Sequence, residues 1–296
     1  MKIFDCFMYF DEDVVLDVRL NTLNEYVNYF VIVESIFTHK GEKRNLKFDI
    51  KKFSRFKDKI IYLIYDKEPY KIESINESDT EDEKSEKYIN NAIYRENGQR
   101  DHITEGLKKA NEDDLILISD LDEIPNLKAI NFDNILEKFI FFNQDMFYYK
   151  FNLQLPNNNW VGTRSCKKKN LISPQWIRNI KVKNYPFYRI DTFFSKTRYS
   201  NIRFIDNGGW HFTNIKTSND IQHKLKSYLH HREFDLNPLA VDDIEKLIKN
   251  KKAIYDLRVD KRSQKIGNGT RLENYDIKKL PNYIKDNLDK FKEWID

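Results

Sequence analysis

Four short apolar runs, spaced by segments of helix length, restrict this chain to few folds. "YFVIVES" (29–35), "KIIYLIY" (59–65) and "LILIS" (115–119) are rich in β-branched residues and show no polar alternation. A strand with one wet face alternates apolar and polar residues, so unbroken runs suit strands covered on both sides. "IFDCF" (3–7) reads as a first strand. Between it and the next, residues 13–27 carry Val14, Val18, Leu23 and Val27 at near-helical spacing behind an acidic start, which predicts an amphipathic helix. Strands alternating with helices imply right-handed βαβ units. The fold class predicted is α/β, with a mostly parallel central sheet flanked by helices.

After the third strand comes a polar, acidic stretch, 66–88, read as an exposed excursion or mobile loop. A long helix is predicted over about 83–109, with Ile89, Ile93, Ile103 and Leu107 on its buried side. The second half is less regular. "FYYKFNLQL" (147–155) alternates like a half-buried antiparallel strand, and "NGGWHF" (207–212) reads as the start of another. Helical patterns cover about 218–232, 241–252 and 283–295. No internal repeat is visible. The one candidate boundary falls just after Pro125, and the chain is expected to form a single domain, 1–296, with halves 1–125 and 126–296.

Charge excludes some partners. Charged residues make up 33% of the 296, but the signs nearly cancel at +4. A nucleic-acid binder would usually concentrate basic residues on one face, so no nucleic acid is expected, and the Lys runs at 51–59 and 167–169 read as solvated surface. The two cysteines, Cys6 and Cys166, lie far apart and in no metal-ligand spacing, which suggests a reducing compartment. No apolar stretch approaches the roughly 20 residues of a membrane span. Asp5 interrupts the first apolar run and no small-residue cleavage site follows, so no signal peptide is expected and the location predicted is cytoplasmic.

The chemistry is concentrated in "LILISDLDEIP" (115–125), where Asp120, Asp122 and Glu123 arrive at once behind a buried strand. Ligands of open parallel sheets bind outside the carboxyl ends of the strands. Asp120 and Asp122, two apart, can converge on one point there. Close carboxylates repel unless a cation neutralises them, and a hard divalent ion with oxygen ligands does so. Mg²⁺ or Mn²⁺ held this way keeps positions open for phosphates. The alternative is that these acids merely cap a turn and a helix. His211 in "GGWHF" is the candidate third ligand, since a neutral imidazole suits Mn²⁺; a packed core histidine is the plainer reading.

Taken together, several segments are familiar: "IFDCFMYFDEDVVLDVRLNTLNEYVNYFVIVES" (3–35), "THKGEKRNLKF" (38–48), "RENGQRDHITEGL" (95–107), "DDLILISDLDEIP" (113–125), "WVGT" (160–163), "GGWHFTNI" (208–215), "IYDLR" (254–258) and "LPNYIKDNLDKF" (280–291). In these the chain resembles glycosyltransferase family 17, the family of the β-1,4-mannosyl-glycoprotein β-1,4-N-acetylglucosaminyltransferase. The resemblance implies a GT-A fold, a UDP-sugar donor (UDP-N-acetylglucosamine), a glycan acceptor, inversion at the anomeric carbon, and a divalent metal at Asp120 and Asp122. Without a membrane anchor, the chain looks like a bacterial or viral relative acting on a different glycan.

Roles follow for this chemistry. Asp122 would ligate the metal directly, Asp120 would bind it through water or hold the ribose, and His211 would complete the set. Arg100, with Lys43 and Arg44 behind it, would stabilise the leaving diphosphate. Glu34, Thr38 and Gly41 would shape the nucleoside pocket. The base for the acceptor hydroxyl is sought among Asp206, Glu233, Asp191 and Glu123, with Asp206 preferred for its place before the Gly-Gly turn. Trp160, Trp176 and Trp210 could stack on sugars. Two rivals stand beside this reading: a metal-dependent nucleotidyl- or phosphotransferase using the same acids, and a non-catalytic carbohydrate-binding protein. The first would want a Gly-rich phosphate loop, and the only Gly-dense stretch, "IGNGTR" (266–271), comes late.

Overall fold

The computed structural model describes residues 1–296 except Ala129, Phe187, Phe193 and 256–268, and omits the side chains of Asp133 and Asp191. Part of "IYDLR" and of "IGNGTR" therefore lies outside the described residues. The chain is α/β. β1 (Ile3–Tyr9), β2 (Tyr29–Ser35), β3 (Ile60–Tyr65) and β4 (Leu115–Asp120) are mutually parallel in the order β3-β2-β1-β4. β7 (Leu153–Lys167) then pairs antiparallel with β4, followed by β6 (Phe139–Tyr148), β9 (Gly209–Thr213) and β5 (Glu123–Pro125). One sheet thus crosses the position after Pro125. Off this path, β8 (Ile202–Ile205) pairs parallel with β6 and β10 (Glu273–Asn274) pairs antiparallel with β7.

The unbroken apolar runs have a physical reason. In β1, β2 and β4 alternate residues feed opposite cores. Phe7, Phe30, Ile32, Leu115 and Leu117 pack on the side of α1 (Asp13–Leu23). Phe4, Cys6, Val31, Val33, Ile116 and Ile118 pack on the other, with the segment after α2 (Glu81–Asp101). With both faces covered, period-2 polarity has no place. Both cysteines are buried free thiols.

The helix expected over 83–109 begins at Glu81, behind a capping box in which Thr80 and Glu83 satisfy each other's backbone amides. It breaks at His102, after which α3 (Ile103–Gly106) carries Ile103 and Gly106 into the core. Residues 66–80 form the exposed excursion.

Two expectations fail. Residues 147–155 are not one strand: they form the corner between β6 and β7, with Tyr149 at φ 65°. The apolar residues there divide between two cores: Phe147 and Phe151 pack on the α1 side, and Tyr148, Tyr149, Leu153 and Leu155 drop into a third. Residues 283–295 form only short turns, α8 (Asn282–Lys285) among them, because Leu280, Ile284 and Phe291 need only cap the α1 side. α4 (Pro174–Asn179), α5 (Ser218–Ser227), α6 (His231–Leu236) and α7 (Val241–Lys249) complete the helices used below. Among the described residues no helix is long and apolar enough to cross a membrane.

Candidate active site

The parallel register brings three carboxyl-terminal strand ends to one rim, with Met8 level with Asp120 and Tyr9 level with Glu34. What shapes the rim is a residue the sequence reading passed over. Arg19, on α1, is 0% exposed and forms a two-pronged pair with Asp5, also 0% exposed, at 2.6 and 2.7 Å. Its remaining donors reach the carbonyls of Asp120, Leu121 and Glu123 at 3.1, 3.0 and 2.8 Å, and the Ser119 hydroxyl at 2.7 Å. A guanidinium has five N–H donors in a fixed fork. Here the fork ties the turn that carries the acids to the buried strand β1.

Asp120 is clamped as well. Arg100 donates to one of its oxygens at 2.9 Å and Arg178 to the other at 3.0 Å. Burial pushes the Asp120 carboxyl up, but the two guanidiniums outweigh it and hold the group well below the usual carboxylate range. Arg178, from α4, also grips Glu123 at 2.7 and 3.0 Å and the Gly162 carbonyl at 2.7 Å. Glu123 is 0% exposed, and its oxygens further accept from the Trp160 indole at 2.8 Å and the Asp120 amide at 2.9 Å. These surroundings make Glu123 a positioning group for Asp120; it does not line the cavity.

Asp122 faces different neighbours. His211 Nε2 lies 3.4 Å from one carboxyl oxygen and Lys224 Nζ 3.9 Å from the other. Burial lowers the His211 pKa and the Asp122 charge raises it; the net is a raised value. Lys224 also lies 3.3 Å from Glu12, which Lys216 approaches at 3.9 Å. Burial disfavours the charge on Glu12, yet the two lysines hold its pKa down to about 2.

These residues open on a cavity of about 350 Å³. Asp120, Asp122 and His211 line it beside Phe10, Glu12, Ser35, Thr38, Glu96, Trp160 and Lys224. Several buried polar atoms among its lining residues have no partner among the described residues: His39 Nδ1, His211 Nδ1, Tyr228 OH and Tyr255 OH. A native interior rarely leaves such groups unpaired without a ligand or water to satisfy them.

The other predicted residues scatter. Thr38 reaches the cavity; its hydroxyl accepts from the Glu42 amide at 3.1 Å. Gly41, at φ 107°, lets the same turn pass the Arg95 guanidinium, which a Cβ would meet at 2.6 Å. Glu34 does not line the cavity; it is buried behind it and accepts from the amides of Lys47 and Phe48 and the Tyr62 hydroxyl. Glu34 anchors the 36–48 loop from within. Lys43 is exposed and points outside the lining, whereas Arg44 joins it. Arg100 is buried among Glu96, Gln175 and Asp120, so it orients Asp120 from behind the cavity wall. Asp206 sits in the turn before β9, accepting from the Asn143 side-chain Nδ2 at 2.9 Å, away from the cavity. Glu233, in α6, lines it with His230 at 3.3 Å. Trp210 packs in the α1-side core and Trp176 against Phe139.

The donor set can be tested against a divalent ion. Among the described residues no group of three or more His, Cys, Asp or Glu is arranged to hold a metal. Asp122 and His211 do converge, while both Asp120 oxygens are taken by arginines. Two protein donors fit an ion that fills its other positions with phosphate oxygens and water, as Mg²⁺ often does. Asp122 and His211 are thus the two side chains that could hold such an ion, while both Asp120 oxygens are bonded to arginines.

A family model described as Glycosyltransferase family 17 matches residues 1–295. No curated protein matches significantly. The family match spans essentially the whole chain, including every element that builds the rim and the cavity, and the chain belongs to glycosyltransferase family 17.

Proposed function

We propose that this glycosyltransferase takes a UDP-sugar, with N-acetylglucosamine the sugar the family suggests, and transfers it with inversion to a hydroxyl of an acceptor glycan in a GT-A-type arrangement. One observation carries the reading: Asp120, Asp122, His211 and the half-buried Lys224 meet on a single cavity at the carboxyl ends of parallel strands. That is where an anionic leaving group can be held and its growing charge met.

In this reading the nucleoside lies toward Phe10, Ser35 and Thr38. Asp120, held ionised and oriented by Arg100 and Arg178, accepts from a ribose hydroxyl. Mn²⁺ or Mg²⁺ bound at Asp122 and His211 supplies positive charge to the diphosphate. Lys224 adds a second charge from the opposite side of Asp122. Trp160 and Tyr148 wall the space left for the sugar. The acceptor oxygen bonds to the anomeric carbon as the bond from that carbon to the diphosphate oxygen breaks, and the acceptor proton passes to a carboxylate. Glu233 takes that role here, because Asp206 and Glu123 do not face the cavity.

The test is a panel of nucleotide sugars assayed for nucleotide release with Mn²⁺ and with a chelator. UDP release from UDP-N-acetylglucosamine, dependent on the divalent ion and slowed by Glu233→Gln, is the expected outcome. Turnover of GDP-sugars instead, or full turnover in chelator, contradicts the proposal.

A further inference from the structure

The loop between α4 and β8 reads "KVKNYPFYRIDTFFSKTRYS" (181–200). It holds five basic residues and one acidic, a net +4, which equals the +4 of the whole chain; the remainder is neutral. Six of its twenty residues are aromatic, about twice the 14% of the chain.

The loop is pinned at its base. The Lys181 amide donates to the Thr197 carbonyl at 2.8 Å and the Tyr185 amide to that of Tyr199 at 3.1 Å. Asn184 pairs both ways with the Ile202 backbone, at 2.7 and 3.1 Å, and the Trp176 indole donates to the Lys196 carbonyl at 2.6 Å. Beyond this base Tyr188, Ile190 and Phe194 are 71%, 72% and 85% exposed. Large apolar groups gathered on a basic loop mark an interaction surface. Lys181, Lys183 and Lys196 are exposed beside them.

We propose that this loop docks the protein on an anionic lipid bilayer. The apolar tips enter the boundary between headgroups and acyl chains while the lysines and arginines meet lipid phosphates. Charge complementarity names an anionic partner. The aliphatic Ile190, and the exposed Val182 near the base, favour a bilayer over a nucleic acid, which offers no hydrocarbon to receive them. α4 ends immediately before the loop and carries Arg178, which holds Asp120 and Glu123. Docking would therefore orient the carboxylate rim relative to the membrane and favour acceptors displayed there.

The inference does not depend on the donor or the chemistry, because it is tested without substrate. The assay is cosedimentation with phosphatidylcholine vesicles, with and without phosphatidylglycerol. Binding should require phosphatidylglycerol and fall at least tenfold in high salt. Tyr188→Ser/Ile190→Ser/Phe194→Ser should weaken it at least tenfold. Lys181→Gln/Lys183→Gln/Lys196→Gln should weaken it by about 100-fold, near fivefold per lysine charge removed. Both variants should keep the wild-type melting temperature, since the altered side chains lie outside the core. Equal sedimentation with neutral vesicles, none with anionic ones, or heparin binding that outlasts the apolar triple while vesicle binding is absent would each overturn the proposal.

Discussion

Replacing Arg19 tests whether the rim is held from inside the fold. The Arg19→Met change leaves the Asp5 carboxylate, 0% exposed, without the partner that binds both its oxygens. It also strips the rim carbonyls of their donor: Asp120 and Leu121 lose Arg19, while Glu123 keeps the Thr163 hydroxyl at 3.0 Å. Breaking a buried pair costs about 3–5 kcal/mol, and each orphaned carbonyl about 1–3 kcal/mol more. Against a typical total of about 5–15 kcal/mol, the single variant should be barely folded at room temperature. Asp5→Leu alone should also lose about 3–5 kcal/mol. The double variant removes the uncompensated charge but not the loss of carbonyl partners. It should be more stable than the sum of the singles by about 3 kcal/mol, yet the turn at 120–123 should remain loose. Urea unfolding reads the coupling, and amide exchange at 120–123 reads the turn. Additive stabilities, or a double variant with wild-type protection at the turn, would refute the idea that one guanidinium joins fold and site.

Other changes test separate parts. Asp122→Ala should cut sugar transfer by roughly 100-fold or more while leaving the circular dichroism spectrum intact; near-normal transfer with Mn²⁺ present would remove the metal role. A stability effect with pH should come from His231, buried in α6. Burial outweighs the pull of Asp235 and drops its pKa to about 4, below the 6.5 of a free imidazole. The unfolded chain therefore takes up the proton first, so this stabilisation is complete above pH 6.5 and is lost as pH falls toward 4, by about 3 kcal/mol. His231→Asn should flatten that part of the profile in denaturant titrations, and an unchanged slope would count against it. Gly209→Ala should cost about 2–3 kcal/mol in urea unfolding, because φ is 131° and the new Cβ would meet the Ile124 carbonyl at 2.1 Å; a silent change would mean β5 yields freely.

The parallel half of the fold was legible because burial on both faces leaves unbroken apolar runs, and β1, β2 and β4 have them. The corner at 147–155 was not, since two strands meeting at Tyr149 produce the same alternation as one strand. Asp120, Asp122 and His211 were legible together: two acids close a buried strand, and a histidine follows a Gly-Gly turn. Asp206 misled because nearness in sequence to His211 says nothing about which end of β9 faces the cavity. Arg19, Arg178 and Lys216 carry no local signal, and Lys224 only a weak one. Each lies among ordinary helix or loop charges, and its meaning comes from pairing across the fold, as with Arg19 and Asp120, 101 positions apart. Lys224 could have been suspected from its place on an amphipathic helix just after "GGWHF".

The central proposal is that Asp122 and His211 at the sheet rim hold a divalent ion that in turn meets the diphosphate of a uridine nucleotide. Thermal unfolding with UDP and Mn²⁺, each alone, and GDP with Mn²⁺ tests it most directly. At about 100 times its Kd a ligand adds about 2.7 kcal/mol, which for a chain of this size is a rise of roughly 5 °C. The account predicts that rise for UDP with Mn²⁺, a smaller one for GDP, and none in Asp122→Ala. An equal shift in Asp122→Ala, or no shift in the wild-type protein, would contradict it.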